Sequence, residues 1–230
     1  MDARGIRARV AAVRARIVAA ADAAGRDPAS VSLVAVSKTL PSAAVRAAYD
    51  AGQRDFGENY VQELLGKREA LADLADLRWH FIGHLQTNKA RSVAKIVHAV
   101  HSVDSVKLAV ELGHRATAAG RTVEALVEVN VGGEASKSGC APGDVGAVLD
   151  AVAREPALVL RGLMTVPPHT DDPAGAGVFF AALAALRDAH GGIGRLPELS
   201  MGMTHDLEIA VAHGATVVRV GTAIFGARGH

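Results

Sequence analysis

Apolar positions along the chain change period repeatedly. Residues 31–37 (VSLVAVS) form an apolar run of strand length, and Pro41-Ser-Ala-Ala opens a helical pattern to about residue 51, with proline in its first turn. Further strand-like runs lie at 53–56, 78–82 (RWHFI), 97–103, 122–131 (TVEALVEVNV), 158–164, 198–201 and 216–220. Helical patterns follow over 59–71, 86–95, 142–154, 174–189 and 205–213, and Asp104 stands where the helix after residue 103 needs an N-cap. Ahead of them, Ile6, Val10, Val13 and Ile17 recur at helical spacing among Arg4, Arg7, Arg9, Arg14 and Arg16. That spacing predicts an amphipathic helix packed on the body of the protein.

Eight strands alternating with helices predict a parallel sheet. Eight such units in 230 residues suit a (β/α)8 TIM barrel preceded by one extra helix, with a doubly wound open sheet as the alternative. No Pro-, Gly- or Ser-rich linker and no repeat divides the pattern, so residues 1–230 are expected to form one α/β domain.

Composition narrows the class. Half the residues are hydrophobic, 21% are charged and the formal net charge is +1. This excludes a disordered chain and argues against a nucleic-acid binder, which carries a concentrated basic face. No apolar run approaches the ~20 residues of a membrane span, and no unbroken apolar core follows the N-terminal arginines as a signal peptide requires. The single cysteine, Cys140, excludes an internal disulfide framework and fits the cytoplasm.

In a barrel of this kind the working residues lie where strands end. Lys38 follows the first strand at period two from Val34 and Val36. An ammonium at the end of so apolar a run is partly desolvated, which frees the amine as a Schiff-base nucleophile. The bland alternative is a lysine at the rim, paired with Glu58. After the seventh strand, Ser200-Met-Gly202-Met-Thr204 precedes a helix, and Gly221-Thr222 follows the eighth; both suit phosphate binding, although ordinary turns explain the glycines equally well. The Walker-like spacing of Gly221 and Gly226 lacks the following Lys-Ser/Thr. A Schiff-base lysine and a phosphate site on one rim point to pyridoxal 5′-phosphate, or to a sugar phosphate bound by a lysine-dependent aldolase. Arg219 shares a face with Gly221 and reaches toward where a pyridine nitrogen would lie; a rim salt bridge is the alternative.

The segments LVAVSK (33–38), AGQRDFGENYVQE (51–63), WHFIGHLQTNK (79–89), SKSG (136–139), RGLMTVP (161–167), LSMGMTHDLEIAVAHGAT (199–216) and VRVGTAIFGAR (218–228) together resemble the pyridoxal phosphate homeostasis protein family. That family is similar to the N-terminal barrel of alanine racemase, a fold-type III pyridoxal phosphate architecture, here without the second domain. The resemblance implies that Lys38 holds pyridoxal phosphate as a Schiff base and that Ser200, Gly202, Thr204, Gly221 and Thr222 serve its phosphate. It places Arg219 at the pyridine nitrogen, Asn59 near the ring and Lys137 as a mobile second lysine. Two departures stand out: His84 where a proline or small residue is common, and Thr204-His205 in place of a Ser-Asp pair.

His80 and His84 share a strand face, but nothing is spaced to complete a zinc site, and Cys140 has no partnered base. The aromatics between Tyr49 and Phe81 read as core. A racemase on this barrel takes a tyrosine acid/base from a C-terminal domain, whereas this chain ends at His230 and its only tyrosines, Tyr49 and Tyr60, lie early. The expectation is therefore a cytoplasmic, monomeric pyridoxal phosphate-binding protein that buffers the cofactor or delivers it to apo-enzymes, with little catalysis. An amino-acid racemase is the second reading and the aldolase the third.

Overall fold

The computed structural model describes residues 3–168 and 172–226. Its strands are β1 (Ser32–Val36), β2 (Asp55–Glu58), β3 (Arg78–Phe81), β4 (Ala99–Val103), β5 (Val123–Glu128), β6 (Leu158–Met164), β7 (Glu198–Ser200) and β8 (Val217–Val220). All pair in parallel and in chain order, and β8 returns to β1 to close the barrel. The helices are α1 (Ala3–Ala23), α2 (Ser42–Asp50), α3 (Val61–Ala70), α4 (Ala90–Ala94), α5 (Val106–Ala118), α6 (Val145–Arg154), α7 (Gly177–Ala189), α8 (Gly192–Arg195), α9 (Leu207–Ala212) and α10 (Thr222–Phe225). This is the expected TIM barrel with an extra N-terminal helix, and the open-sheet alternative falls. Among the described residues, no helix is long and apolar enough to cross a membrane.

Helix α1 packs on α2, α9 and α10, straddling the seam where β8 meets β1. Ile6, Val10, Val13 and Ile17 are its buried stripe, and removing each from water is worth ~1.5–3 kcal/mol. Its arginines grip the seam. Arg9 Nε donates to Ile224 O (2.6 Å), and Arg16 pairs with Glu208 (2.7 Å).

Period two separates two layers along β1. Leu33 and Ala35 join the apolar layer beneath the helices, while Val34 turns into the barrel, where a Cβ on Gly57 would meet Val34 at 3.0 Å and Ile82 at 2.9 Å. The lumen also holds buried polar groups. His101 on β4 bonds Ser200 on β7, strands that are not neighbours, so the contact crosses the barrel interior.

Some elements depart from expectation. β2 begins at Asp55 rather than residue 53, because the Gln53 N–H still donates to Ala48 O at the end of α2 (3.0 Å). Ser105, not Asp104, caps α5, its hydroxyl accepting Leu108 N–H at 3.3 Å. Single 3-10 turns (Thr87–Lys89, Pro142–Asp144 and Pro173–Ala176) precede α4, α6 and α7. The short helices α8 and α10 carry too few apolar positions to show a period.

Candidate functional site

The C-terminal ends of the strands surround a cavity of about 700 Å³. Lys38 enters it directly after β1, on the face of Val36, which also lines it. The backbone around Lys38 is held on both sides. Ahead of it, Ser37 O accepts from Lys67 Nζ (2.7 Å), and the Ser37 hydroxyl donates to Glu58 Oε1 (2.6 Å). Behind it, Thr39 adopts φ 64°, an uncommon value for a residue other than glycine, and its N–H donates to Glu63 Oε2 (2.6 Å). Lys67 Nζ also lies 2.6 Å from Glu58 Oε1 and 3.3 Å from Glu63 Oε2. Glu58, the partner first considered for Lys38, is thus held by Ser37 and Lys67. Burial pushes its carboxyl above the usual range, and the bonds from Lys67 and Ser37 oppose that rise.

Arg219 also lines the cavity, from β8 beside β1, and is 4% exposed. Its Nη1 donates to Ser200 Oγ (2.6 Å) and its Nη2 to Thr165 O (2.8 Å). Desolvation lowers its pKa to about 10, so the guanidinium remains a cation at neutral pH. Thr204, Gly221 and Thr222 close another wall. The Thr204 hydroxyl accepts Ala223 N–H (3.3 Å), tying the loop after β7 to the start of α10. A Cβ at Gly221 would lie 3.1 Å from Val36 O, so glycine there lets the wall approach β1.

Asn59 lines the cavity with a buried Oδ1 that has no hydrogen-bond partner among the described contacts. Gly83 lets its loop sit close, since a Cβ there would fall 2.4 Å from Asn59 O. Lys137 also reaches the cavity, donating to Pro167 O (2.6 Å) and pairing with Glu134 (3.0 Å).

Six of the eight anticipated cofactor residues therefore converge: Lys38, Asn59, Thr204, Arg219, Gly221 and Thr222. Ser200 and Gly202 do not line the cavity. The Ser200 hydroxyl is fully buried between Arg219 and His101, and Gly202 O accepts the Arg219 N–H (2.9 Å). Gly202 also has φ +94°, and a Cβ there would meet that of Ala210 at 2.5 Å. Of the two departures, His205 lines the cavity and is exposed, while His84 lies outside it, 3.3 Å from Asp104.

Beneath the rim, Glu128 is 7% exposed with Oε2 unpartnered. Burial and then Asp104 push its carboxyl up to about 7, against the pull of Arg219. Burial, with Asp144 next, pushes the Cys140 thiol up to about 12, which leaves it inert. Sequence reading missed Lys67, Glu63 and His101 as site-shaping residues. The signal available for Lys67 was its place one helical turn after Glu63 in a segment otherwise leading back to the barrel.

The arrangement fits a planar phosphorylated aldehyde. A primary amine and a buried cation line one cavity, whose volume is within the usual 300–1,000 Å³ of ligand sites. The orphaned Asn59 Oδ1 offers an acceptor to a hydroxyl on such a ring, and glycine admits close approach at residue 221.

The family model for the alanine racemase N-terminal domain matches residues 9–229. A pyridoxal phosphate homeostasis protein of Pseudomonas aeruginosa is 54% identical, over 95% of this chain and 94% of its own length. A protein of the same name from Escherichia coli K12 is 42% identical, over 95% of each chain. Among solved structures, PipY of Synechococcus elongatus with pyridoxal phosphate bound superposes with a TM-score of 0.82 at 40% identity, covering 96% of this chain and all of that one. The alanine racemase of Streptomyces lavendulae shares the fold, with a TM-score of 0.70 at 23% identity, and this chain covers 58% of it.

Proposed function

Because the chain belongs to the alanine racemase N-terminal domain family and, within it, to the pyridoxal phosphate homeostasis proteins, we propose that it binds pyridoxal 5′-phosphate in the rim cavity and serves its homeostasis. The observation that carries this reading is that Lys38 and Arg219, from the neighbouring strands β1 and β8, line one cavity of cofactor size. Bound there, the cofactor supplies an aldehyde that captures amines and a ring that withdraws electrons. Lys38 is the amine that would hold the aldehyde covalently, positioned by Ser37 and Thr39. Thr204, Gly221 and Thr222 form the wall assigned to the phosphate, and Asn59 lies beside the ring. Ser200 and Gly202 act one layer back, by fixing Arg219.

Arg219 favours holding over turnover. A guanidinium at the pyridine nitrogen opposes its protonation and weakens the ring as an electron sink. The placement of both tyrosines supports the same reading. Tyr49 donates to Asp76 and Tyr60 is 54% exposed, and neither lines the cavity. The protein is thus a cofactor buffer or donor to apo-enzymes, working as a monomer in the cytoplasm.

Borohydride reduction of protein loaded with pyridoxal phosphate, followed by peptide mapping, tests this. The adduct is expected on Lys38, and Lys38→Ala should lose the imine absorption. An unmodified Lys38 overturns the site. Racemisation of an amino acid faster than about 1 per second would overturn the carrier reading in favour of a racemase.

A further inference from the structure

A line of hydrogen bonds, buried as far as His80, runs through the lumen from the cavity. Arg219 Nη1 donates to Ser200 Oγ (2.6 Å), and Ser200 Oγ lies 2.8 Å from His101 Nδ1. His101 Nε2 is 2.9 Å from His80 Nδ1, and His80 Nε2 is 2.9 Å from Asp55 Oδ1. Arg78 closes the lower end with two bonds to the Asp55 carboxylate, each 2.6 Å. Five strands contribute: β8, β7, β4, β3 and β2. Ser200, His101 and His80 are 0%, 1% and 8% exposed.

Donors and acceptors along this line can be counted. Ser200 Oγ accepts from Arg219 and has one proton to give. Burial first, then the neighbouring His80 and Arg219, drives the His101 pKa well below its usual value, so His101 is neutral. Burial raises the Asp55 carboxyl, but the bonds from Arg78 and His80 outweigh it and hold Asp55 well below the usual carboxylate range, as an anion. With His101 neutral, one assignment gives every contact a donor and an acceptor. Ser200 O–H donates to His101 Nδ1, His101 Nε2–H to His80 Nδ1, and His80 Nε2–H to Asp55. The opposite tautomer of His101 makes Ser200 accept twice and leaves its proton without an acceptor among the described contacts. It also turns a bare His80 nitrogen toward the carboxylate unless His80 is charged.

We propose that His101, with His80 and Asp55 behind it, is a positioning residue for Arg219, acting through a chain of hydrogen bonds all directed from the guanidinium to the Asp55 carboxylate. The directed chain leaves the Ser200 lone pairs free to accept from Arg219 and so fixes the Nη1 edge, while Thr165 O fixes Nη2. The guanidinium cannot swing into or out of the cavity without breaking a fully satisfied network. Its role toward a bound pyridine ring rests on the cofactor reading above; its polarity does not.

Two arms of one experiment separate these. In cofactor-free protein labelled with 15N-histidine, both imidazoles should carry their proton on Nε2 at pH 7.5. A proton on Nδ1 of His101 overturns the chain whether or not any cofactor binds. In protein loaded with pyridoxal phosphate, His101→Phe cuts the chain, and it should weaken cofactor retention about tenfold and shift the visible absorption band. His101→Gln offers an acceptor oxygen and a donor nitrogen in the same order and should restore both. Equal effects of Phe and Gln, or unchanged spectra in both, refute the positioning role. Should His101→Phe fail to fold, Ser200→Ala against Ser200→Thr provides the same comparison. A wild-type protein that takes up no pyridoxal phosphate while showing the Nε2 tautomers overturns the cofactor reading and the positioning of Arg219 toward it, and leaves the directed chain standing.

Discussion

Lys67→Met removes the cation that anchors the backbone beside Lys38. Lys67 is 6% exposed and Glu58 is fully buried, and their atoms meet at 2.6 Å. With methionine in place, the chain keeps its apolar packing, and Glu58 keeps only the Ser37 hydroxyl, its Oε2 being already unpartnered. Removing one member of a buried pair typically costs about 3–5 kcal/mol, a large part of the roughly 5–15 kcal/mol that holds a domain folded. At this chain length that corresponds to a fall in Tm of roughly 6–20 °C.

The cost must depend on pH in one direction. Burial already raises the Glu58 carboxyl, and loss of Lys67 raises it further above its unfolded value. A raised carboxyl binds its proton more tightly when folded, so stability falls as pH rises past the unfolded pKa of about 4.3 and levels off above the folded one. Urea melts followed by circular dichroism should therefore show a larger loss at pH 8 than at pH 5, with an unchanged m-value. Adding Glu58→Gln, which keeps an acceptor for Ser37 and removes the charge, should recover most of the loss at pH 8. A double variant no more stable than Lys67→Met, or a single variant as stable as wild type at pH 8, would refute the reasoning.

Glu128→Gln should stabilise the protein, increasingly so as pH rises. The folded carboxyl titrates at about 7 and an ordinary one near 4.5, so ionisation costs up to about 3 kcal/mol above pH 7 and nothing at pH 4. Thermal melts from pH 4 to 8 should diverge in favour of the glutamine variant, and parallel curves would contradict the assignment. Gly83→Ala forces a methyl to within 2.4 Å of a backbone oxygen that no rotamer can move. A loss of about 1–3 kcal/mol is expected, together with weaker retention of pyridoxal phosphate as Asn59 is displaced; equilibrium dialysis at matched stability reads the second effect.

The barrel was legible because its strands are apolar toward the helices, and period two put Lys38 on the right face of β1. The polar groups buried in the lumen hid the rest. β2 presents Asp55 and Gly57 inward, so no apolar alternation marks its bounds and its start reads two residues early. Ser200 looked like a phosphate ligand because it sits in a glycine-containing loop. Its actual partners, Arg219 and His101, lie 19 and 99 residues away, distances no spacing rule connects. His80 and His84 share a face by count, yet β3 ends at Phe81, so one enters the lumen and the other stays on the rim. No spacing in the sequence ties Lys67 to Glu58, and only the packing of α3 over β2 buries it.

The lysine and the arginine that line the cavity are each held by a different layer of the fold. Lys38 is fixed from the outside, by α3 through Lys67 and Glu63 and by Glu58 at the end of β2. Arg219 is fixed from the inside, by groups strung along the lumen down to Asp55. Polar groups buried this deeply weaken a barrel that apolar residues would fill at lower cost, and a half-satisfied network is worse than none. Stability alone therefore gives no reason for a polar lumen here, whereas a ligand site held to within fractions of an ångström does, because its first contacts are only as rigid as the groups behind them. The same division explains why the lysine and the arginine can be perturbed separately. A variant at Lys67 should disturb covalent capture and leave the Arg219 environment intact, and a variant at His101 should do the reverse.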